Sequence, residues 1–147
     1  MYALVKFAHK YLDQSRIQFN FKNQRSIPIC YFTSYILLSA SILYSYLKTY
    51  SFNVKLFSLS QNDMQLRGFL EDENPSFIII TLTQFLNMVE LKKLVPYLHK
   101  KNLKVFIGGV PFSYDERLKK DFPNCYFPQN IEDLALTLIR TINEGKF

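Results

Sequence analysis

The chain has 147 residues, 48% hydrophobic and 20% charged, the size and balance of one globular domain. That composition excludes a disordered tail, a collagen-like fibre and a disulfide scaffold. Lys and Arg total 18 against 12 Asp and Glu, a formal charge of +6, and the surplus is local. Residues 1–25 hold Lys6, Lys10, Arg16, Lys22 and Arg25 against Asp13 alone, which leaves 13 basic and 11 acidic residues for the rest of the chain.

In chain order, residues 2–15 have the spacing of a short amphipathic helix, with Leu4, Phe7, Ala8, Tyr11 and Leu12 on one side. Residues 16–25 alternate through Ile17, Phe19 and Phe21, as a strand or an extended lead-in does. A regular rhythm follows. Residues 27–33 (IPICYFT) are strand-like, and residues 34–50 are helical, with Ile36, Ala40, Leu43 and Leu47 recurring every three or four positions. Residues 53–60 form the second predicted strand, and 63–73 a short helix that Asp63 is placed to cap. Residues 76–83 (SFIIITLT) are apolar at nearly every position, as in a parallel strand covered on both faces. Residues 86–102 read as a helix in which Pro96 removes one hydrogen bond and introduces a kink. Residues 104–112 (KVFIGGVPF) make a fourth strand running into a turn. Ser113 and Glu116 have capping-box spacing ahead of a helix over 114–122. Residues 125–130 (CYFPQN) are a short fifth strand, and 131–145 a closing amphipathic helix.

Strands alternating with helices predict an α/β fold: a flavodoxin-like, doubly wound, five-stranded parallel sheet of order 2-1-3-4-5. It occupies residues 26–147, with residues 1–25 as a basic N-terminal extension. In that order the first and fifth strands are not neighbours, so Cys30 and Cys125 are expected as buried free thiols in a reducing, cytoplasmic setting. No signal peptide is expected, because Lys6 and Lys10 interrupt the first apolar stretch. Residues 26–47 carry no charge and are long enough to span a membrane. Their serines, Tyr31, Tyr35, Tyr44, Tyr46 and Pro28 instead fit a buried strand followed by a half-buried helix.

Ligands of such sheets bind beyond the carboxyl ends of the strands, near the switch in strand order. The residues there are Thr33, Ser34 and Tyr35 after strand one, Thr81 and Thr83 on strand three, and Gly108-Gly109 on strand four. This rim is hydroxyl-rich and almost uncharged. It lacks the carboxylates of a phosphate-accepting receiver, and no glycine precedes Gly68, which excludes a P-loop or dinucleotide fingerprint after strand one. A phosphate loop built on Thr33, Ser34 and Ser39 is a weak signal, since such residues usually cap helices. His9 and His99 are read as surface residues, and no Cys/His or carboxylate cluster has zinc spacing. Gly108 and Gly109 either allow a tight turn or let a ligand approach the sheet.

With its element order, Thr81, KVFIGGVPF and CYFPQN, the chain resembles the cobalamin-binding domain family over roughly residues 27–143. That family includes the light- and cofactor-sensing domains fused to MerR-type repressors. The resemblance implies that Thr81, Thr83, Gly108 and Gly109 receive the nucleotide tail of the cofactor, with Tyr126, Phe127 and Pro128 on the far side. Cobalt-ligating members carry Asp-x-His-x-x-Gly after strand one. Here those positions fall on residues 34–39, so Ile36, or Tyr35 with a slip of one residue, stands in place of the histidine. Cobalamin held without a protein histidine, another tetrapyrrole, or no cofactor at all are then equal expectations, and Ile36 and Leu37 are candidates to fill the tail tunnel.

The function expected is a non-catalytic regulatory or sensory module that binds a small ligand or a protein partner, such as a transcription regulator or a second copy. The alternative is an accessory domain of a mutase, methyltransferase or radical enzyme. Direct nucleic-acid binding through the basic extension is the weaker reading, because a charged stretch of this kind is more often a solvated face. No membrane association is expected.

Overall fold

A computed structural model describes residues 26–144. The predicted helix over 2–15 and the lead-in over 16–25 lie outside the described residues.

Strands β1 (Ile27–Tyr31), β2 (Val54–Ser58), β3 (Phe77–Leu82) and β4 (Lys104–Gly109) form one parallel sheet of order β2-β1-β3-β4. β1 and β3 are buried at every position, which is why their sequences run apolar without alternation. The register pairs Ile27 with Val54, Ile29 with Ile79 and Thr81 with Gly108. The expected fifth strand is reduced to a single parallel bridge between Phe106 and Tyr126. Two backbone hydrogen bonds hold it, from Ile107 N–H to the Tyr126 carbonyl and from Tyr126 N–H to the Val105 carbonyl, both at 2.8 Å. Two residues further on, Pro128 has no N–H to give the ladder, so pairing ends there.

Helices α1 (Leu38–Thr49) and α5 (Ile131–Asn143) cover one face of the sheet, while α2 (Met64–Glu73) and α3 (Met88–Lys100) cover the other. Alternation along the strands divides the core accordingly. Ile27, Ile29, Phe77, Ile79 and Phe106 pack with Leu43, Leu47, Leu134 and Leu138. Cys30, Ile78, Ile80, Val105 and Ile107 pack with Leu66, Leu70, Leu91 and Leu98. Asn74 and Asn102 adopt positive φ just after α2 and α3, the left-handed position that asparagine tolerates at helix ends.

Several boundaries differ from the expected ones. α1 starts at Leu38 rather than at residue 34, because the Thr33 hydroxyl donates to the Tyr35 carbonyl at 2.6 Å and the Ser58 hydroxyl donates to the Thr33 carbonyl. Local side-chain bonds thus hold this loop out of the helix. α3 runs through Pro96, whose ring lies on the exposed face, where water can reach the carbonyl it leaves unbonded. The helix expected over 114–122 is instead a short helix, α4 (Val110–Tyr114), and a 3₁₀ turn (Glu116–Asp121). Asp115 rather than Ser113 caps that turn, accepting from Arg117 N–H at 3.0 Å. The Asp63 side chain does not cap α2; it pairs with Arg67 at 2.8 Å, while Asn62 accepts from the Met64 amide. Among the described residues no helix is long and apolar enough to cross a membrane.

Candidate functional site

Beyond the carboxyl ends of β3 and β4, between α1 and α5, the structure opens a cleft of about 280 Å³. Its floor is Ile79, Thr81, Phe106 and Gly108, its α1 wall is Ser39 and Leu43, and its α5 wall is Ile131 and Leu134. Gly109, Ser113, Pro128, Gln129 and Asn130 complete the mouth.

The two adjacent glycines do different work. Gly109 has φ of +130°, and a Cβ there would lie 1.7 Å from the Leu82 carbonyl oxygen, so the neighbouring strand requires glycine at this position. Gly108 has ordinary backbone geometry, and a Cβ added to it would meet nothing within 4 Å. It shares its sheet face with Phe106, and where the next side chain would fill the space between α1 and α5 there is none. The tight turn and the room for a ligand therefore belong to different residues.

Beside Gly108 lies Thr81, 8% exposed and one of two buried polar residues among those described. Its hydroxyl makes no hydrogen bond to any described residue. The other, Ser26, accepts from Asn53 Nδ2 at 2.8 Å. A buried hydroxyl without a partner costs about 1–3 kcal/mol, which makes Thr81 the polar atom in this cleft that a ligand would satisfy.

Among the described residues the lining carries no titratable side chain; its polar groups are the hydroxyls of Ser39, Thr81 and Ser113 and the amides of Gln129 and Asn130. The first turn of α5 contributes no anion site. Asn130 Oδ1 accepts from Asp133 N–H at 2.8 Å, Asp133 Oδ2 accepts from Gln129 N–H at 3.0 Å, and Glu132 adds a second negative charge. These groups already answer the helix dipole. The hydroxyls and amides of the described lining can receive and hydrogen-bond a neutral group.

Of the sequence-predicted site residues, Thr81, Gly108, Gly109 and Pro128 line the cleft. Thr33, Ser34, Tyr35 and Ile36 do not; they form the β1–α1 loop outside the lining, with Tyr35 66% and Ile36 58% exposed. Ile36 and Leu37 therefore do not fill the cleft. Thr83 follows the end of β3 outside the lining. Tyr126 stacks on Phe106 at 5.2 Å between ring centroids, and Phe127 packs against Phe112 on the opposite sheet face. Sequence reasoning missed Ser113, Gln129, Asn130 and the α5 wall. The available signal was that residues following Pro128 begin a helix at the same sheet edge.

The remaining reactive groups lie elsewhere. Cys30 is buried and Cys125 half-buried, both as free thiols. Burial pushes the Cys125 thiol up to about 11 and the Cys30 thiol further still. Expected on the surface, His99 is half-buried, with Nε2 3.8 Å from Cys125 Sγ. A thiol that stays protonated at neutral pH beside this imidazole is not an activated nucleophile. Among the described residues no group of three His, Cys, Asp or Glu side chains could hold a metal.

No family model matches the sequence, and no curated protein matches it. The fold itself is shared with solved structures. One of them is the crystal structure of a cobalamin-binding protein from Desulfitobacterium hafniense DCB-2, with a TM-score of 0.73 and 18% identity. The match covers 95% of this chain and 70% of that one. The chain therefore has a cobalamin-binding-like α/β fold, with four paired strands in the order 2-1-3-4.

Proposed function

We propose that this chain is a non-catalytic regulatory module that binds a corrinoid or a related macrocyclic ligand, with a slender part of that ligand inserted in the cleft between α1 and α5. One observation carries the reading: a buried Thr81 hydroxyl, without a partner among the described residues, beside a glycine whose missing side chain leaves open space. Both fit a cofactor tail. The polar groups of the described lining are hydroxyls and amides, which suit hydrogen bonding to a bound ligand. In a cobalamin complex Thr81 would bond the tail, and the walls of Leu43, Ile131 and Leu134 would exclude water from it. The loop position where the resemblance expects a cobalt ligand does not fit that role, because Tyr35 and Ile36 offer no imidazole. A ligand-dependent contact with a protein partner, such as a transcription regulator of the MerR type or a second copy, would give the module its output.

The test is a titration with hydroxo-, methyl- and adenosylcobalamin and with haem, followed by absorbance and calorimetric heat. Saturable binding that Gly108→Leu abolishes, with thermal stability unchanged, is the expected result. Flat titrations with all four would overturn the reading.

A further inference from the structure

On the sheet face opposite the cleft, beyond the ends of β1 and β2, α2 and α3 enclose a second cavity of about 350 Å³. It shares no lining residue with the cleft, and a space of this size suits one small molecule. Its chemistry differs as well. Phe32, Leu59 and Leu94 give it an apolar side, while Asp63, Arg67, Glu90 and Lys93 give it two negative and two positive charges. These four charges are not equivalent. Arg67 Nε bonds Asp63 Oδ2 at 2.8 Å, and its guanidinium carbon lies 4.0 Å from the centre of the Tyr97 ring, so this pair is held from two sides. Glu90 and Lys93 stand one turn apart on α3, in the order that favours an ion pair, yet they do not pair with each other. Neither has an ion-pair partner among the described residues, whereas the adjacent Lys92 reaches Asp121 at 3.2 Å.

We propose that this second cavity binds a small zwitterion, an α-amino acid with an apolar side chain. Lys93 receives its carboxylate, Glu90 its ammonium, and Phe32, Leu59 and Leu94 its side chain. A ligand that is only an anion would answer Lys93 and bring like charge to Glu90; one that is only a cation would do the reverse. The formal charges of the lining sum to zero, which a zwitterion leaves unchanged. Because Asp63 and Arg67 already satisfy each other, the two groups of α3 are the ones left to read the ligand. The apolar side adds burial, and so a preference for hydrophobic over polar amino acids. Glu90 and Lys93 are exposed, so each charged contact is worth little alone, and selectivity comes from making both at once. The site is independent of the cleft and gives the module a second input on its other face.

The test is calorimetric titration of the full chain with L-leucine, with isocaproate, which lacks the ammonium, and with isoamylamine, which lacks the carboxylate. Saturable leucine binding with a dissociation constant of about a millimolar or below is expected, and each truncated analogue should bind about threefold or more weakly than leucine. Glu90→Gln and Lys93→Gln should each weaken leucine binding by about threefold or more at unchanged thermal stability, since both positions are exposed. Lys120→Gln, at an exposed lysine outside the cavity, should bind leucine as the unmodified chain does. The proposal is overturned by an absence of saturable leucine binding, by equal binding of leucine and either analogue, or by unchanged leucine binding in either cavity variant. An equal loss in Lys120→Gln would also overturn it, by assigning the effect to net charge. Corrinoid titrations report on the cleft separately. Saturable leucine binding with flat corrinoid curves would remove the cleft reading alone, and the converse would remove the second site alone.

Discussion

Thr81 lies directly across from Gly108 in the β3–β4 ladder, so a hydroxyl and a bare backbone share the floor of the cleft. The hydroxyl is buried and has no partner among the described residues, so the protein tolerates an unfavourable group at the place where a ligand would relieve it. Thr81→Val keeps the shape and removes the hydroxyl. It should raise the stability of the ligand-free protein by about 1 kcal/mol and weaken ligand binding. Urea denaturation and the corrinoid titration measure the two effects, and a clear loss of stability would mean that the hydroxyl has a structural partner.

The adjacent glycines give the sharpest contrast in stability. Gly109→Ala places a methyl group 1.7 Å from the Leu82 carbonyl oxygen, at a φ of +130°. A loss of about 2 kcal/mol or more is expected, because the strand must move or the backbone must change region. Gly108→Ala meets no atom within 4 Å and should leave stability unchanged or slightly improved. Equal losses in the two variants would contradict the division of labour between them.

At the entrance to α5, the Asn130 side chain accepts from the Asp133 amide, and Asp133 returns a bond from the Gln129 amide. Asn130→Ala should cost about 1 kcal/mol, and Asn130→Ser should recover most of it. Denaturant midpoints of the two variants decide this; no difference between them would show that the cap is energetically idle.

Both thiols are raised in the folded state, Cys125 to about 11 and Cys30 beyond it, with burial as the cause. Between the ordinary thiol value of about 8.5 and these folded values, the unfolded chain releases protons that the folded chain keeps. Stability from keeping the thiols neutral is therefore complete below about pH 8.5 and is lost as pH rises towards 11 and above. Urea midpoints taken from pH 8 to 11 should fall more steeply for the unmodified protein than for Cys30→Ala or Cys125→Ala. Parallel slopes in all three would remove the thiols from the account.

The sheet was legible because its strands are buried on both faces, and residues 76–83 could be little else. The alternation of elements pointed to a parallel sheet, and the observed order 2-1-3-4 agrees with the first four places of the expected flavodoxin-like 2-1-3-4-5. The fifth strand was not legible as a failure to pair, since its apolar character comes from Tyr126 and Phe127, which pack on opposite faces of the sheet. Thr81, Gly108 and Gly109 were singled out because they end strands at the expected edge and Pro128 through the resemblance, and all four line the cleft. Residues 33–36, expected to bind a cofactor, lie outside the lining. Helical periodicity continued through Ile36, and the hydroxyl bonds that delay α1 until Leu38 involve Ser58 of a different strand. Nor did any local signal separate the roles of Gly108 and Gly109, since only one of them faces the Leu82 backbone.

The single-residue bridge at Tyr126 also bears on how the cleft works. Its α1 wall leads into β2 and follows β1, both fully paired in the ladder, whereas its α5 wall reaches the sheet through one bridge and two hydrogen bonds. The spacing between the walls is thus set on one side by the backbone lattice and on the other by the side chains with which α5 grips the sheet. Adjusting the cleft to a thicker or thinner guest requires repacking Leu134, Leu138 and their neighbours, while the pleated ladder keeps its register throughout.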